Sequence, residues 1–302
     1  MPGRLATLQE SLARYLDDAS LVIEPFREGV DAFVDLVTRP GHAPAIVKSA
    51  KVERLLTTYE GLVDYAVIMR REIAVADLLR QANLPAPAVL GWHRSTGPDD
   101  PSWILSEYVA HEPTDALSPH VQEQLGQLAR TMHAIHPGGD ARRWLAPSVA
   151  WDEYVVARIL ARLEAARRYV SLPDDRHLVG ALRRTVQGRS PHAGALLHLD
   201  LRAPNLAVVG DRIVAILDYG NAIAGDPYFE LARIKSFGGL TPAFLSGYGG
   251  VDLDRHHALL LAYGLDLTAL LTVVTREEFV DESLHTAMAA QTVATTHWLA
   301  SR

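Results

Sequence analysis

Cysteine is absent from this sequence of 302 residues. Its absence excludes a disulfide framework, zinc sites built on thiolates and a cysteine nucleophile. A basic surplus is absent as well, since 29 lysines and arginines stand against 36 aspartates and glutamates and give a formal charge of −7. Proteins that bind nucleic acid through its phosphates usually carry an excess of basic residues, so we expect no nucleic-acid partner.

Uninterrupted apolar runs are also few. Residues 1–20 carry charges throughout and contain no apolar core of the kind found in signal peptides. The longest apolar stretch, residues 258–274, is interrupted by Asp266, and we interpret it as a buried core helix rather than a membrane span. We therefore expect a cytoplasmic protein with no membrane partner. No feature of the sequence indicates an oligomeric state.

Two kinds of pattern divide the chain near residue 110. Short segments of the kind that form strands precede this point, together with one long segment of helical composition and a short amphipathic helix at 8–16. The predicted strands are 33–38, 45–49, 88–92 and 103–109, and the predicted long helix is 63–81. Amphipathic helical patterns follow, at 121–136 and 152–170, and a short hairpin at 206–217 interrupts them.

We therefore predict an α+β fold with two lobes. Residues 1–109 would form the smaller lobe, an antiparallel sheet with one helix. Residues 110–302 would form the larger, mainly helical lobe. Boundaries read from a sequence in this way are uncertain by about 2–4 residues.

One segment of the helical half has the residue types that phosphoryl transfer requires. It reads His198-Leu199-Asp200-Leu201-Arg202-Ala203-Pro204-Asn205 and is followed by Asp218-Tyr219-Gly220. Phosphoryl transfer needs a carboxylate that accepts the hydroxyl proton, and hard oxygen ligands for Mg²⁺. The apolar runs 206–209 and 213–217 flank a Gly-Asp turn signal. A hairpin would therefore bring Asn205 and Asp218 together at its open end, beside Asp200.

This arrangement resembles the protein-kinase catalytic loop, H-R-D-L-x-x-x-N, and the D-F-G magnesium motif that follows it. Gly225-Asp226-Pro227, followed by Leu231-Ala232, makes the chain more similar to the aminoglycoside phosphotransferase and choline kinase family. The resemblance covers roughly residues 20 to 270. It implies a protein-kinase-like fold, with Mg²⁺ and ATP, or GTP in its place, as cofactors. It also implies that residues 1–109 bind the nucleotide, and that residues 110–302 carry the catalytic loop and the site for the acceptor substrate.

The resemblance also implies a role for each residue of the motif. Asp200 is the catalytic base, or the residue that orients the acceptor hydroxyl. Asn205 and Asp218 are the metal ligands. His198 supports the catalytic loop, and Asp226 braces that loop from the start of a helix.

The upstream half supplies the nucleotide site in this resemblance. Lys48, in the strand Ala-Ile-Val-Lys, is similar to the kinase lysine that contacts the α- and β-phosphates. Glu72 in the long helix is similar to the glutamate that pairs with this lysine. The strand 103–109 resembles the hinge. Leu105 then takes the gatekeeper position, and the Ser106 carbonyl and the Tyr108 amide hydrogen-bond to adenine.

The sequence departs from the family pattern at four places. The loop that covers the nucleotide, residues 27–33, has a single glycine, Gly29, which we assign to the nucleotide site. Leu199 replaces the usual glycine of the catalytic loop, and Tyr219 replaces the phenylalanine of D-F-G. Glu230 stands where the family commonly has aspartate. No departure removes a group that performs chemistry.

These features predict a small-molecule O-kinase. Asp226 follows Asp218 by eight residues, which leaves no room for the activation loop of a protein kinase. We expect the γ-phosphate of ATP to pass to a hydroxyl of a small molecule, such as an aminoglycoside, in which case the protein would confer antibiotic resistance. Two alternatives remain: a kinase of a choline-like or sugar metabolite, and a catalytically inactive binding protein of the same fold.

Two charged segments have simpler interpretations. A helix face carries four arginines, and we interpret it as solvated because a glutamate is interleaved and the chain is acidic. These are Arg158, Arg162, Arg167 and Arg168. The acidic stretch 277–282 either lines a pocket for a cationic substrate or forms an ordinary charged surface, and the second interpretation is favoured.

Overall fold

An antiparallel sheet and two helices make up the N-terminal lobe. The computed structural model describes residues 2–97, 100–112, 114, 116–173, 175–189 and 194–302. The strands of the lobe are β1 (Val22–Glu28), β2 (Ala32–Thr38), β3 (Ala45–Ala50), β4 (Arg54–Thr57), β5 (Gly61–Asp64), β6 (Val89–His93) and β7 (Trp103–Glu107). Its helices are α1 (Pro2–Leu16) and α2 (Tyr65–Gln81).

The five-stranded sheet has the order β1-β2-β3-β7-β6, with every neighbour antiparallel. Its two faces differ because side chains alternate along each strand. In β3, Val47 is buried in a small core with Leu8 and Leu12 of α1, whereas Lys48 faces the opposite side. The short helix predicted at 8–16 is part of α1, which begins at Pro2 and packs on this face of the sheet. The lobe therefore has two helices, where one was predicted to pack with the sheet.

The hairpin β4–β5 was not predicted from the sequence. Its strands have four residues each and pair only with one another, so they offer too short a pattern to recognise. The next element, α2, begins at Tyr65, because the Asp64 side chain accepts a hydrogen bond from the Ala66 amide (3.0 Å) and caps the helix. The turn between β4 and β5 contacts the C-terminal lobe.

The C-terminal lobe is mainly helical, with two short hairpin-like strand pairs. Its helices are α3 (Pro119–His133), α4 (Gly139–Leu145), α5 (Trp151–Ala166), α6 (Asp175–Val186), α7 (Pro227–Ser236), α8 (Pro242–Tyr248), α9 (His257–Glu277) and α10 (Glu282–Ala300). Its strands are β8 (Ala195–Leu197), β9 (Leu206–Val209), β10 (Arg212–Ile216) and β11 (Ile223–Gly225). β9 pairs with β10, as predicted, and β8 pairs with β11.

Helix α9 contains the longest apolar stretch. Among the described residues it alone is long and apolar enough to cross a membrane, yet 83% of its most apolar window is buried inside the fold. Tyr263, Leu265 and Asp266 are all fully buried. The buried core helix that we predicted is therefore confirmed.

The α+β architecture of a small sheet lobe and a larger helical lobe is also confirmed. The predicted boundary after residue 109 falls in the segment that joins β7 to α3. The main hydrophobic core fills the helical lobe and extends to the side chains of Val75 and Leu79 of α2. A cleft lies between this core and the inner face of the sheet, and both lobes contribute to its walls.

Candidate active site

The cleft has a volume of about 600 Å³, within the range of small-molecule sites. Side chains predicted from four separate parts of the sequence meet in it. They are Lys48, Glu72, Asp200, Asn205 and Asp218. The structure therefore brings together residues that lie up to 170 positions apart in the chain.

The loop after β8 is held by two side chains of α7. The backbone amides of His198 and Leu199 donate to the Glu230 carboxylate at 3.1 and 2.7 Å. Arg233 Nε donates to the Leu199 carbonyl oxygen at 2.5 Å. Leu199 has a φ of 64°, a conformation that a leucine rarely adopts. The contacts from α7 fix this strained peptide, at the position where the family pattern has glycine.

His198 joins this loop to the end of β10. Its Nε2 atom lies 2.9 Å from the Leu217 carbonyl oxygen, and its Nδ1 atom accepts a hydrogen bond from the Asp200 amide at 3.2 Å. The ring is fully buried and packs edge-on against Tyr219. These bonds place a donor on Nε2 and an acceptor on Nδ1, so one neutral tautomer satisfies both.

Asp226, which was predicted to brace the catalytic loop, lies at the start of α7. The Asp226 carboxylate caps α7 by accepting from the Tyr228 amide (3.0 Å), and it also accepts from the Tyr263 hydroxyl (3.1 Å). Within the described ranges it makes no hydrogen bond to the catalytic loop. Glu230, one turn further along α7, points at that loop instead. The Asp226 carboxylate is thus occupied by its own helix, and the contacts to the catalytic loop come from Glu230.

Asp200 presents a carboxylate to the cleft between two donors. Arg202 Nε donates to one of its oxygens at 2.7 Å, and Asn205 Nδ2 donates to the other at 2.6 Å. The Asp200 side chain is 15% exposed. The two hydrogen bonds fix its orientation, so an incoming hydroxyl group would meet a preorganised acceptor.

Lys48 forms two ion pairs on the sheet side of the cleft. Its Nζ atom lies 2.6 Å from Glu72 Oε1 and 2.9 Å from Asp218 Oδ1. Burial acts to lower the pKa of Lys48, but Asp218 and Glu72 outweigh it and hold this pKa well above its usual range. Burial raises the pKa of Glu72. Lys48 lowers the pKa of Asp218, so Asp218 is ionised near neutral pH.

The side-chain oxygen atoms of Asp218 and Asn205 are suitable ligands for a magnesium ion that arrives with phosphates. Asp218, at a φ of 63°, has a side chain that is 49% exposed. The Leu217 amide donates to the Asn205 carbonyl oxygen at 2.9 Å, which keeps Asn205 next to Asp218. Within the described residues, no group of three His, Cys, Asp or Glu side chains could hold a metal ion. Magnesium is commonly held by one or two carboxylates plus substrate phosphates, and the Asp218 carboxylate and the Asn205 amide oxygen would fit such a site.

The hinge residues are displaced by one position from the prediction. Leu105 does not face the cleft but is buried beneath α1, whereas its neighbour Ser106 lines the cleft. The Tyr108 amide donates to the Pro44 carbonyl oxygen at 3.4 Å. Ile46 and Ser106 face each other two residues further along the two strands. Hydrogen-bonded pairs recur every two residues in an antiparallel ladder, so Ser106 also directs its backbone groups towards Ile46.

The backbone groups of Ser106 and Tyr108, which were predicted to hydrogen-bond to adenine, therefore point towards β3. Glu107 and Val109 line the cleft as well. Successive residues of a strand direct their backbone groups to opposite edges, so those of Glu107 and Val109 point away from β3. The Glu107 amide follows this pattern by donating to the Ala88 carbonyl oxygen at 2.9 Å. The Val109 amide has no backbone acceptor in the part of the chain that the structure describes.

Gly29 lies at the rim of the cleft, in the turn between β1 and β2. Its amide donates to the Ala32 carbonyl oxygen at 2.9 Å and so closes the turn. The single glycine of this loop thus lies beside the cleft, but its amide is already engaged.

A buried charge cluster beneath the cleft was missed by the sequence analysis. Arg162 is fully buried, and Arg158 is 20% exposed, so the interpretation as a solvated face was wrong for these two residues. Both pair with Asp266 of α9, at 2.7 and 2.8 Å. The signal was available, because Asp266 interrupts an apolar helix and a buried carboxylate requires partners.

Comparison with known proteins places this architecture among phosphotransferases. The model of a family described as "Phosphotransferase enzyme family" matches residues 23–261. No curated protein sequence matches the chain.

Several solved structures share the fold. A protein of Haemophilus somnus, provisionally identified as a fructosamine-3-kinase, is 17% identical over 96% of this chain and 97% of its own, with a TM-score of 0.70. A thermostable mutant of the aminoglycoside phosphotransferase APH(4)-Ia, in a ternary complex with ADP and hygromycin B, is 15% identical over 98% of each chain, with a TM-score of 0.65.

A third structure is a GDP complex of an aminoglycoside 2′-phosphotransferase-IIIa mutant. It is 16% identical over 98% of this chain and 96% of its own, with a TM-score of 0.65. At these identities the likeness shows the fold alone. It confirms the two-lobe, protein-kinase-like fold that we predicted.

Proposed function

The chain belongs to the phosphotransferase enzyme family, and from this membership we propose that it transfers the γ-phosphate of ATP, or of GTP, to a hydroxyl group of a small molecule. One observation supports the proposal most directly. Lys48 and Asp218, from different lobes, form an ion pair at 2.9 Å in the same cleft that holds Asp200 and Asn205. An anchor for phosphates, a metal site and a proton acceptor then share one small volume.

Each of these side chains has a task in the proposed reaction. Asp200 would accept the proton of the acceptor hydroxyl and orient its oxygen towards the γ-phosphorus, held in place by Arg202 and Asn205. Lys48 would neutralise negative charge on the phosphates. A magnesium ion held by Asp218 and Asn205 would supply further positive charge at the phosphate oxygens. Positioning and charge neutralisation provide most of the rate enhancement in phosphoryl transfer.

The nucleotide base would lie against the end of β7. We assign its hydrogen bonds to the Glu107 carbonyl and the Val109 amide, because the groups of Ser106 and Tyr108 face β3. Val34, Ile46 and Ile104 line this part of the cleft and offer apolar surface for a flat ring. A carbonyl acceptor and an amide donor can hydrogen-bond to adenine through N6 and N1, or to guanine in a shifted position through N1 and O6, so GTP stands beside ATP as a donor.

The Ser106 side chain provides a test of this placement. Ser106→Phe is expected to weaken ATP binding by at least about tenfold, because the ring would fill the space of the base, whereas Ser106→Ala leaves affinity within about threefold. Isothermal titration calorimetry with ATP measures both variants. Equal affinities of Ser106→Phe and the wild type would show that the base binds elsewhere.

A compact acceptor fits the short segment between Asp218 and Asp226. Residues 221–225 include the three-residue strand β11, so no long loop is present to dock a protein substrate. An aminoglycoside is our first candidate, because the relative APH(4)-Ia is described in complex with hygromycin B. The protein would then confer antibiotic resistance from the cytoplasm. A sugar is the second candidate, through the likeness to a fructosamine kinase.

A screen for acceptors tests the proposal. Release of ADP is followed with ATP, magnesium and panels of aminoglycosides, other antibiotics, sugars and choline-like amines. We expect one panel to stimulate ADP release, and mass spectrometry to find an added phosphate on that compound. If ATP binds but no compound is phosphorylated, a catalytically inactive binding protein becomes the better description.

A further inference from the structure

The turn between β4 and β5 reaches from the N-terminal lobe to the C-terminal lobe. Its residue Glu60 lines the cleft and forms ion pairs with two arginines of α5. One is Arg158, whose Nη2 atom lies 3.5 Å from the Glu60 carboxylate. The other is Arg162, which is fully buried and makes the shorter contact. An N-terminal lobe carboxylate thus inserts into the buried charge cluster of the other lobe.

The cluster leads from Glu60 to the catalytic loop through direct contacts. Arg162 Nη1 lies 2.7 Å from Asp266 Oδ2. The same oxygen of Asp266 lies 2.7 Å from Arg233 Nη1, and Arg233 Nε donates to the Leu199 carbonyl oxygen at 2.5 Å. Leu199 immediately precedes Asp200, so four ion pairs and hydrogen bonds connect the turn with the catalytic residue.

The balance of charge makes Glu60 important to this cluster. Arg158, Arg162 and Arg233 share two carboxylates, those of Asp266 and Glu60. Without Glu60, three guanidinium groups would compete for the single buried carboxylate of Asp266. Arg162 already has one buried atom, Nε, with no hydrogen-bond partner among the described residues. Removing one member of such a group leaves an uncompensated buried charge, and the remaining contacts must rearrange.

We propose that Glu60 is a positioning residue for the catalytic loop. It acts through Arg162, Asp266 and Arg233 on the Leu199 carbonyl, and so on the orientation of Asp200. The strained conformation of Leu199 makes this loop responsive, because contacts to its peptide must maintain an unfavourable backbone geometry. Glu60 belongs to the N-terminal lobe and Arg162 to the C-terminal lobe. The catalytic loop is therefore fully ordered when the two lobes are joined by the pairing of Glu60 with Arg162. The proposal rests on the phosphotransferase function for its catalytic consequence.

The same turn has a second attachment that serves as a matched control. Thr58 Oγ1 lies 3.4 Å from Glu277 and accepts from Arg168 Nη2 at 2.8 Å, and Arg168 also pairs with Glu277. Within the described residues these three side chains have no hydrogen bond or ion pair to the catalytic loop. Glu277→Gln therefore removes a charge from another contact of the same turn, while the pairing of Glu60 with Arg162, and with it the path to Leu199, stays intact.

Hydrogen–deuterium exchange of the protein with and without Mg·ATP tests the proposal. The amides of His198 and Leu199 donate to Glu230, and a peptide that spans residues 196–206 reports their opening. We expect Glu60→Gln to speed exchange in this peptide by roughly tenfold, and Glu277→Gln to leave it unchanged. Thermal melting checks that both variants are folded at the assay temperature. Unchanged exchange in Glu60→Gln, or equal acceleration in both variants, would overturn the proposal.

Kinetics with an acceptor from the screen provide the second measurement. Glu60→Gln is expected to lower kcat by roughly tenfold with the KM for ATP unchanged, since it disturbs Asp200 and not the nucleotide site. A raised KM with an unchanged kcat would place Glu60 in nucleotide binding and overturn the positioning role. The exchange measurement needs no turnover, so a failure of the proposed function cannot be mistaken for a failure of this inference.

Discussion

Replacing Asp200 with asparagine is expected to lower the turnover of phosphate transfer by about 10²–10⁴-fold, while Mg·ATP binds within about threefold of the wild-type affinity. The side chain keeps its shape but loses the charge that accepts the hydroxyl proton. Asp200 is held by Arg202 and Asn205 and has no direct contact with Lys48, so the nucleotide side of the cleft should stay intact. Single-turnover kinetics and calorimetry measure the two quantities.

Asp211→Asn is the matched control for this variant. Asp211 lies in the turn between β9 and β10, where its carboxylate accepts from the Ser118 hydroxyl at 3.1 Å, away from the cleft. This variant should keep wild-type turnover. If Asp200→Asn keeps turnover within tenfold of the wild type, Asp200 neither accepts the proton nor orients the hydroxyl, and the assignment of the catalytic loop is wrong.

The sequence predicted those parts of the site that local chemistry determines. A lysine in a strand, a glutamate in the following helix and acidic or amide side chains around a short hairpin are recognisable because each stands in a characteristic local setting. Lys48 and Glu72 illustrate this, since they meet at 2.6 Å although 24 residues separate them. Here the element order, together with the resemblance to the kinase pattern, was sufficient.

The errors arose where the decisive contact was tertiary. Leu105 was assigned to the cleft because periodicity defines a strand but not which of its faces packs beneath α1. Glu230 was noted only as a departure from the family pattern, because only the fold shows that its carboxylate faces the catalytic loop. Arg162 looked like a surface residue until Asp266, more than 100 positions later, supplied its buried partner.

Asp218→Asn is expected to abolish the magnesium dependence of nucleotide binding. The affinity for ATP at millimolar magnesium should fall by at least about 10²-fold, since even partners of a metal ligand commonly contribute 10–100-fold to metal affinity. Lys48 retains Glu72 as its partner at 2.6 Å, so its ammonium group stays in place. Calorimetric titrations of ATP at a series of magnesium concentrations measure the effect.

The charge of Asp218 should strengthen the binding of Mg·ATP and weaken the binding of metal-free ATP. This pair of effects distinguishes a metal ligand from a residue that only holds Lys48. Without metal, the carboxylate repels the phosphates, so Asp218→Asn should bind metal-free ATP as well as or better than the wild type. Asp31→Asn supplies the comparison, because Asp31 lines the same cleft and was not assigned as a ligand. That variant should keep the full magnesium dependence. Should Asp218→Asn keep it too, the ion is held by other groups, and Asp218 serves only to fix Lys48.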